Sequence, residues 1–399
     1  MKIFAAFLII MFLAFSGYHL TFRSFKLPLI ARRFYLTGTE YLFLGLLLGP
    51  FFLNLLDQKT LASLEPVSTM LLGWVGLLCG FQFEIRELKR FPKTYLSAAV
   101  IESLITFTTV TSAIYFLSPL WFDITETLRI ITSISLGAAA SCTAQTGLAL
   151  LTAKTIKKRS EFILFLRYIS SIDSLMALFF FAPVFFVLTQ NISQPPWYTV
   201  SSFTTVALVI ANISLILLYN LFLAQRRNKN ELMLVIIGMV VLTSGTASTF
   251  QFSPLLANFF IGIFVVNTTR EKERIFSIVV NAEKPLYLLL LVFIGAYWRP
   301  DSLPLFSLAM IYCLVRLAGK FTGGFLASKI SYKKSNFPTA SGFALIEQGG
   351  IPLAIIFDLQ QRFAGQMTTQ IASIAVIAIV INDLISPLFI QTLLDKEEV

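Results

Sequence analysis

The sequence predicts an all-α polytopic membrane protein of about thirteen transmembrane helices, and three observations carry that prediction. The 399-residue chain is 56% hydrophobic and only 13% charged, where soluble domains carry about 25% charged residues. Its apolar residues fall in runs of about twenty, the length that crosses a bilayer as a helix. Its Lys and Arg residues collect in alternate connections between those runs, the signature of loops on one membrane face.

In chain order the expected spans lie near 3–20, 38–55, 66–85, 94–118, 126–153, 161–188, 198–224, 231–248, 252–268, 276–297, 303–328, 337–360 and 366–393. The odd-numbered connections carry 21 Lys and Arg, among them Arg32, Arg33, Lys89, Arg90, Lys157 and Lys158; the even-numbered ones carry Lys59, Arg129, Arg299 and Arg362. The positive-inside rule then places the N-terminus outside and the C-terminus in the cytoplasm. A wrong helix count would break the alternation. The first run, with Lys2 ahead of it and Ala14-Phe15-Ser16-Gly17 near its end, has the look of a signal peptide. That orientation would put Arg32 and Arg33 outside, so the run is read as a true span.

Composition also excludes several classes of function. The net charge of +10 is spread over short inter-helix clusters, which topology explains, so no nucleic-acid partner is expected. The three cysteines, Cys79, Cys142 and Cys313, all lie in apolar segments and imply neither a disulfide framework nor a metal site. The single histidine, His19, nearly excludes histidine-based metal or triad chemistry. No stretch resembles a nucleotide-binding loop, and no soluble regulatory domain is expected after the last helix. The reading is a single transmembrane transporter domain over 1–399, not an enzyme, with no cofactor, driven by an ion gradient.

Two spans carry breaks at mid-membrane. The fifth contains Gly137-Ala138-Ala139-Ala140-Ser141-Cys142-Thr143-Ala144-Gln145-Thr146-Gly147, small and hydroxylic where bulk is expected. The twelfth contains Glu347-Gln348-Gly349-Gly350-Ile351-Pro352, where Pro352 removes a helix hydrogen bond and the glycines favour unwound backbone. Each is the fourth of a five-helix set, about 38–188 and 252–393, and the sets begin on opposite faces. Interrupted helices at matching positions of inverted repeats point to a transport site.

Asp173 sits near the centre of the sixth span. A carboxylate at that depth costs about 3 kcal/mol on insertion scales. Such a group is retained where it lines a polar cavity, and protonation or cation binding are the two ways to neutralise it.

Further residues tie these observations together. Tyr41-Leu42-Phe43-Leu44-Gly45-Leu46-Leu47-Leu48-Gly49-Pro50, Gly80-Phe81-Gln82-Phe83-Glu84 with Arg86-Glu87-Leu88-Lys89-Arg90, Leu256-Ala257-Asn258-Phe259-Phe260-Ile261-Gly262 through Asn267, Phe293-Ile294-Gly295-Ala296, and Gly342-Phe343-Ala344-Leu345 through Gly349-Gly350 form an ordered set. In that set the chain resembles the monovalent cation:proton antiporters of the sodium/hydrogen exchanger superfamily, nearest the bacterial cation:proton antiporter-2 branch. The resemblance implies a homodimer in the bacterial inner membrane. It also implies a core domain of crossed, broken helices that moves against a dimerisation scaffold.

By the same resemblance, Asp173 falls at the essential ion-binding aspartate. Ser141, Thr143 and Thr146 fall where the unwound peptide supplies hydroxyls and carbonyls, and Arg316 falls on a helix that carries a basic residue. Two positions depart from the pattern. Ile172 stands where Asp, Asn or Gln is common, and Ala144 stands where many members have Asp. The expected site has one carboxylate and few polar neighbours, which leaves a non-transporting, sensor-like protein as the alternative reading.

Sodium, lithium and potassium prefer hard oxygen ligands, which Asp173, Thr143, Ser141 and exposed backbone carbonyls supply. Proton and cation would compete for the same carboxylate, and one titrating group implies one proton per cation. Arg316 has three open roles: balancing half-helix dipoles, pairing with Asp173 in the empty state, or a plain structural one. Lys320, one turn on, is expected to snorkel. Glu347 either attracts cations or caps a half-helix, and Gln145 and Gln348 are candidate polar liners. Glu102 and Arg167, at similar depth, are expected to form a structural pair. Asp383, the counterpart of Asp173 in the second repeat, is read as a packing residue or a second acidic site.

Overall fold

The computed structural model describes residues 38–122, 125–144, 161–191, 212–219, 228–269, 271–300, 303–331, 341–363 and 365–395, with Leu8 and Phe222. The first expected span apart from Leu8, most of the seventh and the last third of the fifth, including Gln145 and Thr146, lie outside the described residues. Among the described residues every regular element is helical, and six helices are long and apolar enough to cross a membrane. The chain divides into two compact units, Met1–Ile85 with Leu188–Arg299 and Arg86–Val187 with Pro300–Val399.

The first unit contains α1 (Thr39–Leu48), α2 (Glu65–Phe81), α6 (Lys229–Thr249), α7 (Pro254–Thr268) and α8 (Lys272–Tyr297). The expected span over 38–55 is shorter as a helix, because Gly49 is extended and precedes Pro50, and the residue before a proline disfavours the helical region. Asp57 then caps a short helix, Gln58–Ser63, by accepting the Thr60 N–H at 2.8 Å. Small residues set the helix pairs. Gly45 of α1 lies directly against the Val292 carbonyl of α8, and Gly76 of α2 lies against the Leu255 carbonyl of α7, so a Cβ at either would collide with main chain. This is the close backbone approach that membrane helices use in place of bulk packing. Ser253 caps α7 by accepting the Leu256 N–H at 2.9 Å, with Pro254 as its first residue, where the missing proline N–H costs nothing.

The second unit contains α3 (Lys93–Leu117), α4 (Glu126–Ser141), α5 (Glu161–Asn191), α9 (Leu303–Ser331), α10 (Gly350–Arg362) and α11 (Gln366–Asp395). Both expected breaks are present. α4 stops at Ser141 and the chain is non-helical from Cys142 to Ala144. The twelfth span is a 3₁₀ turn, Ser341–Leu345, then backbone without regular structure over 346–349, then α10. Pro352 therefore does not break the helix as expected. It sits in the first turn of α10, where its N–H would have no intrahelical partner anyway. The two non-helical segments meet: the Ala144 N–H donates to the Glu347 carbonyl at 2.8 Å.

Gly349 is required by both geometry and space. Its φ of 70° with ψ of −151° lies in a region open essentially to glycine alone, and an added Cβ would sit 2.7 Å from the Ala144 side chain. Gly349→Ala should cost about 1–3 kcal/mol from backbone strain before any clash. A drop in the thermal unfolding midpoint checks this, and G349A/A144G should recover only the steric part.

Candidate ion-binding site

The crossing leaves backbone ends pointing inward, and each is met by an opposite charge. α4 and the 3₁₀ turn aim carbonyls, the negative ends of their dipoles, at the crossing. Arg316 of α9, fully buried, answers both. Its Nε donates to the Ala140 carbonyl at 2.9 Å, and its terminal nitrogens donate to Cys142 at 2.8 Å and Ile346 at 2.5 Å. The guanidinium thus faces the carbonyl ends of both broken segments. At the opposite end, the start of α10 presents N–H groups, and Asp383 of α11 accepts from Gln348 at 2.9 Å and Gly349 at 3.3 Å. Asp383 thus counters a helix N-terminus. Gln348 ties this corner together: its amide donates to the Ala139 carbonyl at 3.0 Å and accepts from Asn382 at 2.7 Å.

One turn beyond Arg316, Lys320 lies in the same interior. It does not snorkel; it is fully buried. Its Nζ stands 2.9 Å from Asp173 Oδ2, 3.1 Å from Glu102 Oε1, 2.8 Å from the Ser141 carbonyl and 2.8 Å from Thr143 Oγ1. The α3–α9 packing permits this reach, since Gly323 of α9 passes so close to the Glu102 main chain that a Cβ would lie 2.9 Å from its carbonyl. Glu102 accepts from Thr106 at 3.1 Å. Arg167 is exposed, so Glu102 finds its ion-pair partner in Lys320 instead of the expected arginine.

Asp173 of α5 is fully buried at the centre of this cluster. Its Oδ2 accepts from the Thr143 hydroxyl at 2.6 Å, and Ser103 Oγ of α3 lies 2.5 Å from its Oδ1. Ser103 Oγ also lies 2.9 Å from the Ala99 carbonyl. The Ser103 hydroxyl has one proton, so it can serve an ionised Asp173, or turn to Ala99 and accept from a protonated one. The site therefore accommodates both charge states of the aspartate without stranding a polar atom.

Asp173, Thr143, Ser141 and Lys320 are thus brought together. Ser141 contributes its carbonyl, while its hydroxyl donates back to Ala138 at 2.8 Å. Glu347 is buried and joins the crossing through its carbonyl. Ile172 is buried, and the polar neighbours missing at Ile172 and Ala144 come from α3 as Glu102 and Ser103, which sequence reasoning did not assign to the site. The available signal was local: Glu102 and Thr106 stand four apart on one helix face, as do Arg316 and Lys320.

Two interrupted helices that cross beside a buried carboxylate, a buried ammonium and hydrogen-bonded backbone carbonyls make up this candidate site. The chain belongs to the sodium/hydrogen exchanger family: the family model "Sodium/hydrogen exchanger, transmembrane" matches residues 10–396. Its fold is also that of a solved structure, the sodium proton antiporter MjNhaP1 from Methanocaldococcus jannaschii, with a TM-score of 0.63 at 17% identity, covering 98% of this chain and 97% of that one. No curated protein matches the chain. The chain is an integral membrane protein, and its family exchanges ions without catalysing a chemical reaction.

Proposed function

We propose that the protein exchanges a monovalent cation (sodium, potassium or lithium) for a proton, one for one, by alternating access at Asp173. The observation that carries this reading is the fully buried triad of Asp173, Lys320 and Glu102. With all three ionised, two carboxylates face one ammonium, leaving one negative charge. A single proton or a single monovalent cation neutralises it. Burial makes the unneutralised form costly to carry through the membrane, so the loaded forms cross and exchange follows. Thr143, Ser103 and the Ser141 carbonyl supply hard oxygens around Asp173, and Arg316 and Asp383 hold the crossing that positions them.

Because both loaded forms carry the same charge, transport is electroneutral. Exchange rates in proteoliposomes should be the same at inside-negative and inside-positive potassium diffusion potentials. A rate that follows the imposed voltage would mean unequal charge in the two loaded forms and would sink the one-for-one stoichiometry.

We also place the protein as a homodimer in a bacterial inner membrane, N-terminus outside and C-terminus cytoplasmic, working in pH homeostasis. Loop charge supports the orientation and the family resemblance supports the rest. The alternative, a sensor-like protein without turnover, draws on Ile172 and Ala144. It is weakened by the replacement of their missing polar groups with Glu102 and Ser103.

A further inference from the structure

Lys320 touches two carboxylates on two different helices; Asp173 has two hydroxyls on it, Thr143 and Ser103, where Glu102 has the Thr106 hydroxyl. Glu102 has no evident task in binding cargo. It is fully buried, supported by Thr106 and held against Lys320 Nζ at 3.1 Å. Placing a carboxylate there is costly unless its charge is used.

We infer that Glu102 decides which side chain carries the exchanged proton, assigning it to Asp173 by offsetting the charge of Lys320. The inference rests on the reading that Asp173 is the exchange site. The groups facing Lys320 are Asp173 on α5, Glu102 on α3, and the Ser141 carbonyl and Thr143 hydroxyl after α4. Arg316, the other buried cation of α9, is occupied by carbonyls.

Charge balance makes the argument. With Glu102 ionised, it and the Lys320 ammonium sum to zero. Asp173 then requires one positive partner, either a proton or the cargo. When the cation binds, the Asp173 O–H bond breaks, the electron pair stays on oxygen and the proton leaves to the aqueous side. With the Glu102 charge removed, Asp173 and Lys320 already neutralise each other. An arriving cation is then balanced only if an N–H bond of Lys320 breaks, its electron pair staying on nitrogen and its proton leaving to water. One cation still exchanges for one proton, but the proton comes from an amine instead of a carboxyl. Amines hold protons to far higher pH than carboxyls do.

The test is the pH profile of exchange in proteoliposomes for wild type, Glu102→Gln, and E102Q with Lys320→Arg. E102Q should exchange with its midpoint moved alkaline by more than one unit. At the wild-type midpoint its apparent cation affinity should fall by at least about tenfold. E102Q/K320R should fold but fail to exchange, because a guanidinium does not give up its proton. A second measurement needs no change at Glu102. Cation-induced infrared difference spectra of wild type should lose a protonated-carboxyl stretch that Asp173→Asn lacks.

An E102Q profile that overlays wild type overturns the inference while leaving exchange through Asp173 intact. So does a wild-type spectrum in which no protonated carboxyl is lost. If wild type exchanges nothing, or D173N exchanges as wild type does, the underlying reading fails instead.

Discussion

Asp173→Asn is expected to abolish cation-dependent proton movement while leaving the protein folded. The substitution removes the one charge that draws either a proton or a cation to the site. It also leaves Lys320 paired with Glu102 at 3.1 Å, so the two remaining charges of the triad sum to zero. Removing one member of a buried ion pair usually costs about 3–5 kcal/mol because its partner is stranded. Here a second carboxylate prevents that, and D173N should unfold at a temperature close to that of wild type. Cation binding separates the two proteins. A ligand at a hundred times its dissociation constant stabilises the folded state by about 2.7 kcal/mol, so sodium, potassium or lithium should raise the wild-type unfolding midpoint and leave that of D173N unmoved. A midpoint that rises equally in D173N would place the cation elsewhere.

Arg316→Met is expected to be the most damaging change outside the ion pair. Arg316 satisfies carbonyls from both broken segments, at Ala140, Cys142 and Ile346. Methionine keeps much of the volume but strands those acceptors, and each buried unsatisfied acceptor costs about 1–3 kcal/mol. It also removes the positive charge facing two helix C-termini. The variant should lose several kcal/mol, seen as a large fall in unfolding midpoint, and lose exchange with it. Arg316→Lys, which retains charge but reaches fewer carbonyls, should fall between the two. An R316M protein of wild-type stability would mean the crossing is held by other contacts, such as Gln348 on Ala139 and the Ala144–Glu347 hydrogen bond.

The parts of this arrangement legible in the sequence are those that depend on position along the chain. The two breaks and the place of Asp173 within its apolar run follow from where small, hydroxylic and charged residues interrupt such runs, and the grouping of Ser141 and Thr143 with it follows from the family resemblance. What could not be read was direction around a helix axis. Glu102 and Arg167 sit at similar depth and look like a pair, yet one is buried and the other exposed. Lys320 has a stem long enough to reach a membrane face, yet it is fully buried, on a helix that passes close to α3 at Gly323. Pro352 was visible as a helix disruptor, but a proline that breaks a helix and one that begins a half-helix have the same local sequence; the non-helical run at 346–349 decides between them. Asp383 likewise lies at the depth of a possible second site, and its role follows from the N–H groups of Gln348 and Gly349 that reach it.

The most direct test of the central claim is proton flux in liposomes carrying the purified wild-type protein and an internal pH dye, with membrane potential clamped. Sodium, potassium and lithium gradients would be imposed in turn. The account predicts saturable proton movement, opposite in direction to the cation gradient-driven flux and dependent on cation identity. A well-folded protein that moves no protons under any of the three gradients would contradict it and leave the sensor-like reading in its place.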